Sequence, residues 1–227
     1  MLIIMAPTIA TPPAKKLVVI DLGHGGKDPG AVFGKHKESQ IVRAISAPLI
    51  EQLNLGGRAD AKSSFSLLNK PEDSYWQDKN ARVELSGYNE RACREGRQQI
   101  GLLISVHVNS AASQAASGFL ILHNHFQKMA GDFYKSMLVF MDGKGYNIRG
   151  NRGQVVFERK DLPILKVLSY GQDSQKKPYS TGFVPSLLIE MGFITNATDR
   201  KLMLEQPALL AQGIQSSINF ILDAGYA

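Results

Sequence analysis

Four stretches of this chain, residues 16–22 (KLVVIDL), 101–106 (GLLISV), 118–123 (GFLILH) and 185–193 (PSLLIEMGF), are apolar almost throughout instead of alternating. A strand with one wet face alternates polar and apolar residues. Uninterrupted runs rich in Val, Ile and Leu therefore describe strands covered on both faces. Between them lie segments with apolar residues at helical spacing, as in residues 41–53 (IVRAISAPLIEQL) and, roughly, 82–99, 126–142 and 207–222. Strands alternating with helices predict one α/β domain with a covered sheet, and 227 residues suffice for it.

Finer features are read the same way. Ser39 is expected to cap the first helix, Gly56-Gly57 to end it, and Pro48 to bend it. A further strand is expected around residues 65–68, and residues 69–80 (NKPEDSYWQDKN) read as a long loop. A glycine-rich connector (143–154), a short helix near 162–168 and a polar loop (169–183) precede the last apolar strand, and two helices close the chain.

Composition narrows the function. The formal net charge is +6 and the sequence pI about 9.4, yet the basic residues are dispersed and form no stripe that would grip nucleic acid. No apolar run reaches the roughly 18 residues of a membrane span. A single cysteine, Cys93, excludes an intrachain disulfide and a Cys-based metal cluster, and reads as a structural thiol. The first 15 residues are apolar at the start but lack a basic n-region. They read as a flexible leader ahead of a domain over 16–227 rather than as a convincing secretory signal.

The chemistry gathers where functional groups of such sheets gather, at the carboxyl ends of strands. His24 follows the first strand among Gly23, Gly25 and Gly26, which leave room beside an imidazole. The GHGGKDPG loop matches neither the phosphate-binding GxxxxGK[ST] nor GxGxxG pattern. His107 ends an apolar strand, and Glu38 stands just before the first helix, where an acid would also suit the helix dipole. Glu190 interrupts a buried run, and a buried carboxylate needs a cation, a metal or a proton. Two histidines and a carboxylate with a further acid fit a catalytic zinc site, which uses three protein ligands and leaves one position for water. By spacing alone His36, His123 or His125 could serve instead.

Three segments together resemble a known family. Residues 18–41 (VVIDLGHGGKDPGAVFGKHKESQI), 104–119 (ISVHVNSAASQAASGF) and 184–203 (VPSLLIEMGFITNATDRKLM) are similar, in order and spacing, to the zinc-dependent N-acetylmuramoyl-L-alanine amidases of the amidase 3 family. The resemblance implies a mostly parallel twisted sheet of about six strands flanked by helices on both faces. It implies one zinc ion per chain held by His24, Glu38 and His107, with Glu190 as the catalytic acid-base. The implied reaction is cleavage of the amide between N-acetylmuramic acid and the L-alanine of the stem peptide. Asp21 would orient His24 or cap its turn.

The sequence departs from the family at Leu22, at Asn69-Lys70 and in a longer stretch between Gly57 and Arg91. Some members carry a helical plug between the second histidine and the glutamate. The 83 positions from His107 to Glu190 are filled by predicted elements, so no plug and no activator are expected. The expected setting is the periplasm or cell wall, reached by export or, for a phage-type lytic enzyme, through a membrane hole. The expected partner is peptidoglycan, and the expected state a monomer. The competing readings are a zinc peptidase or glycan deacetylase and a catalytically dead wall-binding protein; the HExxH helix of many zinc peptidases is absent.

Overall fold

A computed structural model describes residues 15–145 and 155–227. All but one residue of the expected leader, and most of the glycine-rich connector, lie outside them. In chain order the elements are β1 (Lys16–Leu22), β2 (Val32–Phe33), β3 (His36–Lys37), α1 (Glu38–Leu55), β4 (Ala59–Ser63), α2 (Ser64–Leu67), α3 (Asp78–Arg94) and β5 (Ile100–Asn109). There follow β6 (Leu120–His123), α4 (Gln127–Met141), β7 (Val156–Glu158), a 3₁₀ turn (Pro163–Lys166), β8 (Leu168–Gln172), β9 (Pro178–Phe183), β10 (Ser186–Phe193), α5 (Ala197–Glu205) and α6 (Pro207–Asp223).

Six strands form one sheet in the order β4-β1-β5-β10-β6-β7. Strands β4, β1, β5 and β10 run parallel, β6 is antiparallel to β10, and β7 runs parallel to β6. The apolar runs occupy its centre, where Val18, Val19, Ile20, Leu102, Leu103, Ile104 and Ile189 are fully buried. The crossovers run in opposite directions, from β1 out to β4 and from β4 back to β5, and the right-handed rule for parallel connections puts α1 and α3 on opposite faces. Helix α6 packs against α1 and α4, while α3 packs against the 3₁₀ turn and the β8–β9 ribbon.

Several local expectations are corrected. Residues 65–68 are not a strand: Ser63 Oγ caps α2 by accepting from Ser66 N at 3.0 Å, and the strand is the preceding ADAKS segment. Its Ala59, Ala61 and Ser63 are buried in alternation with Asp60 and Lys62, a period-two pattern hidden by small side chains. Ser39 is not the helix cap. Helix α1 starts at Glu38, and loop carbonyls take its first donors, Glu38 N to Ala31 O at 2.8 Å and Ser39 N to Pro29 O at 3.1 Å. The helix runs unbroken through Pro48.

Helix α3 begins earlier and ends earlier than expected. Gly96, at φ +66°, turns the chain, and Arg97 N closes the end on Ala92 O at 2.7 Å. The polar loop 169–183 is an antiparallel ribbon. Its backbone is held by side-chain amides instead of an apolar stripe, Asn89 to Leu168 O and Gln99 to both backbone groups of Tyr170, and its own Gln172 amide donates to Cys93 O of α3. Cys93 is buried, as expected of a structural thiol.

Candidate metal centre

The three central parallel strands bring the chemistry together. Leu22 and Ile189 both flank Val106 in the ladder, and Glu190 stands directly beside His107. Gly23 N extends the pairing by donating to Val106 O at 3.2 Å. This aims the loop after β1 across the end of β5. Strand β5 runs two residues past His107, which is therefore within the strand and not at its end.

His24 itself adopts φ +64°, a left-handed conformation sparsely used by non-glycine residues and frequent at functional sites. That turn sends its Nε2 to within 3.2 Å of Glu38 Oε2. His107 Nδ1 lies 3.0 Å from Glu38 Oε1. Glu38 is buried and fixed by two backbone donors, Ala31 N to Oε2 at 2.8 Å and Val108 N to Oε1 at 2.9 Å. One potential ligand atom from each of His24, Glu38 and His107 lies within 4.8 Å of the other two. This is the group of His, Cys, Asp and Glu found so placed among the described residues. His36 sits on β3, and His123 and His125 lie at the end of β6, so none joins it.

Two glycines are required by close approach. A Cβ on Gly23 would fall 2.5 Å from the His107 ring, and one on Gly30 would fall 2.5 Å from Glu38 Oε2 and 2.6 Å from His24 Cδ2. Gly30 also has φ +66°.

The partner of the His24 ring is not Asp21. Asp28 Oδ2 lies 2.9 Å from His24 Nδ1, while Asp21, fully buried, accepts from Trp76 Nε1 at 2.9 Å and from Ser105 Oγ at 2.7 Å. Asp21 thus anchors the cleft wall, and Asp28 sets the imidazole. Arg43, on α1, donates to His24 O, Ser39 O and Glu72 O at 3.1, 2.9 and 2.8 Å, with its guanidinium over the Phe65 ring. Lys70, where the sequence departs from the family, bonds Glu84 at 2.7 Å and lies over Trp76. It braces the wall from behind.

His24, Asp28, His107 and Trp76 line a cleft of about 510 Å³. Its lining includes His24, His107 and Glu190, the Trp76, Gln77 and Asp78 segment, and Leu122, Leu188 and Arg159. In the ladder Glu190 stands beside His107, Leu188 beside Leu122, and His123 beside Glu158, the residue before Arg159. Asp78 and Arg159 lacked any signal in the sequence, since each is an ordinary charged residue in a polar stretch. His107 Nε2 and Glu190 Oε2 are buried with no hydrogen-bond partner in the protein. Burial pushes the Glu190 carboxyl up to about 7, against the pull of His107. Burial also works against the charges of Glu38 and His107. Their hydrogen bond outweighs it, holding Glu38 well below the usual carboxylate range and lifting His107 to about 9. The site is built to hold positive charge around one carboxylate and to keep a second at the edge of ionisation.

The family model described as N-acetylmuramoyl-L-alanine amidase matches residues 18–219. The uncharacterized protein YqiI of Bacillus subtilis is 25% identical over 84% of this chain and 76% of its own length. The N-acetylmuramoyl-L-alanine amidase LytC of the same organism is 23% identical over 86% of this chain and 33% of its own length. Among solved structures, the CwlD amidase of Clostridioides difficile, determined in complex with the GerS lipoprotein, superposes with a TM-score of 0.67 at 20% identity, over 92% of this chain and 100% of that one. That likeness carries the fold.

Proposed function

This chain belongs to the N-acetylmuramoyl-L-alanine amidase family, and from that premise we propose that His24, Glu38 and His107 hold one zinc ion while Glu190 moves the proton in hydrolysis. The donor set supports zinc: two imidazole nitrogens and a carboxylate oxygen, with no competing thiolate. Both imidazoles meet the same carboxylate, His24 Nε2 at 3.2 Å from Oε2 and His107 Nδ1 at 3.0 Å from Oε1, so the three residues are close enough to share one ion. When bound, zinc supplies Lewis-acid polarisation of the scissile carbonyl and lowers the pKa of a water toward about 7.

The chain's own residues do the rest. Asp28 holds His24 Nδ1 and leaves Nε2 facing Glu38. Glu190, beside His107 on the cleft floor, accepts a proton from the attacking water and delivers it to the departing amine. Its raised pKa suits both halves of that task. The bond broken joins the lactyl carbonyl of N-acetylmuramic acid to the L-alanine nitrogen. Water oxygen ends on the carboxylate product and the proton on the amine.

The enzyme acts on peptidoglycan, outside the cytoplasm. No helix among the described residues is long and apolar enough to cross a membrane. The chain works as a monomer without an activating partner. The 107–190 interval supports this reading: its described residues form the end of β5, β6, α4, β7, the 3₁₀ turn and the β8–β9 ribbon, and among the described residues His24, His107 and Glu190 line a cleft.

The observation that carries the proposal is the convergence of His24, Glu38 and His107 within one cleft with Glu190. Its test is digestion of purified peptidoglycan by the protein alone, with mass spectrometry of the products, with and without chelator. We expect peptides bearing an L-alanine amino terminus, released only when metal is present. Cleavage within the peptide would indicate a peptidase, and release of acetate a deacetylase. Activity that waits for an added partner would overturn the claim of independence.

A further inference from the structure

We propose that Arg159 reads the carboxylate of the residue that follows L-alanine in the stem peptide, making the enzyme selective for walls in which that carboxylate is free. This rests on the amidase reading above. The second residue of the stem is a glutamate joined through its side-chain carboxyl, so its α-carboxyl is left over, either free or capped as an amide.

The cleft has the length for this contact. Its floor runs along β10 from Glu190 to Leu188, two residues or about 6.7 Å. Leu122, the ladder partner of Leu188, widens that floor sideways. From the scissile amide nitrogen across L-alanine to the next α-carboxylate is about 7 Å in an extended chain. A peptide leaving from Glu190 along β10 thus passes its alanine methyl over Leu188 and Leu122 and carries the carboxylate toward the β6–β7 side of the cleft.

The register places Arg159 beyond Leu188: His123 pairs with Leu187 of β10 and with Glu158 of β7, and Arg159 follows. It follows edge strand β7, and its backbone N is tied to His123 O at 2.8 Å. Asp161 holds the guanidinium by two bonds, Nε to Oδ1 at 2.8 Å and Nη2 to Oδ2 at 2.7 Å, leaving Nη1 uncommitted to Asp161. The side chain is 44% exposed and lines the cleft with Glu190. Arginine in a fixed fork is suited to a planar carboxylate.

Charge points the same way. Asp28, Asp78 and Glu190 line the cleft and repel an anionic substrate group; apart from the two histidines that face Glu38, the basic residues of its lining are Lys79 and Arg159. Lys79 follows Asp78 at the start of α3, whereas Arg159 follows β7, the strand paired with the one that carries Leu122.

The experiment pairs two substrates with three proteins. Muropeptides differing only in a free or an amidated α-carboxyl on the second residue are hydrolysed by the zinc-loaded wild type, Arg159→Met and Arg159→Lys. We expect wild type to favour the free carboxylate by about tenfold in kcat/KM, mostly through KM. The ratio should fall to near one in Arg159→Met and to an intermediate value in Arg159→Lys, which keeps the charge but not the fork. Equal use of both substrates by wild type, a preference for the amide, or a ratio unchanged in Arg159→Met would overturn the proposal. Failure of wild type to cleave either substrate would instead overturn the amidase reading, and this inference with it.

Discussion

Asp28 Oδ2 lies 2.9 Å from His24 Nδ1, so a residue four positions downstream in the same loop decides which imidazole nitrogen faces Glu38. Asp28 also accepts from Gly30 N through Oδ1 at 3.1 Å, which fixes the loop that carries it. Groups that orient a ligand histidine are worth about 10–100-fold in metal affinity. Asp28→Ala is therefore expected to weaken zinc binding by that factor in a competition titration, with Asp28→Asn intermediate because it keeps an acceptor for Gly30 N. An unchanged zinc affinity in Asp28→Ala would show that the contact orients nothing.

Gly30 and Gly34 separate crowding from backbone strain. Both have positive φ, +66° and +58°, but a Cβ on Gly30 meets Glu38 and His24, while one on Gly34 meets nothing within 4 Å. Gly34→Ala should cost only the left-handed penalty of about 1–2 kcal/mol. Gly30→Ala should cost more and should also lose zinc. Denaturant titration and metal analysis check this, and equal costs with full zinc in both variants would refute it.

Glu190 should control the ascending limb of the pH–rate profile. As a base it works ionised, and burial holds its pKa up to about 7, so the rate rises as pH rises through that value. A bound dication favours the ionised form and moves the limb lower, never higher. Glu190→Gln should lose about 10²–10⁴-fold in kcat with zinc content unchanged, and its residual activity should lack that limb. A mutant that keeps both wild-type rate and limb would remove Glu190 from the chemistry.

Arg43 should hold the cleft wall to the His24 loop. Its three carbonyl partners belong to α1, the His24 loop and the 69–77 loop. Arg43→Met is expected to cost about 1.5–3 kcal/mol of stability and to speed amide exchange across residues 69–77. Exchange that accelerates elsewhere but not in that loop would show that the clamp is not what orders it.

The lettering of the chain by itself determined the sheet's centre. Strands β1, β5, β6 and β10 were legible because burial on both faces demands apolar residues at every position, a local property that any folded context must respect. The same reasoning exposed Glu190, since a carboxylate inside such a run carries a desolvation cost that a chain tolerates only for a reason. His24 was legible as the residue just past a strand; His107 was legible in an apolar run, although β5 continues two residues beyond it. The choice of Glu38 over His36 as their companion came from family resemblance, because two residues so near in sequence differ by nothing local.

Tertiary structure alone decided the partners. Asp21 is nearer to His24 in the chain than Asp28, yet it points to Trp76 and Ser105, because the left-handed turn at His24 swings the imidazole away from the strand. The β4 strand and the β8–β9 ribbon were missed because small residues and side-chain amides, not apolar alternation, hold them. Arg159 and Asp78 enter the cleft from segments far away in the sequence. Burial periodicity is written locally and can be read locally. Which donor meets which acceptor depends on turns and crossovers that bring Glu38 within 3.0 Å of His107 across 69 residues, and only the folded chain makes that choice.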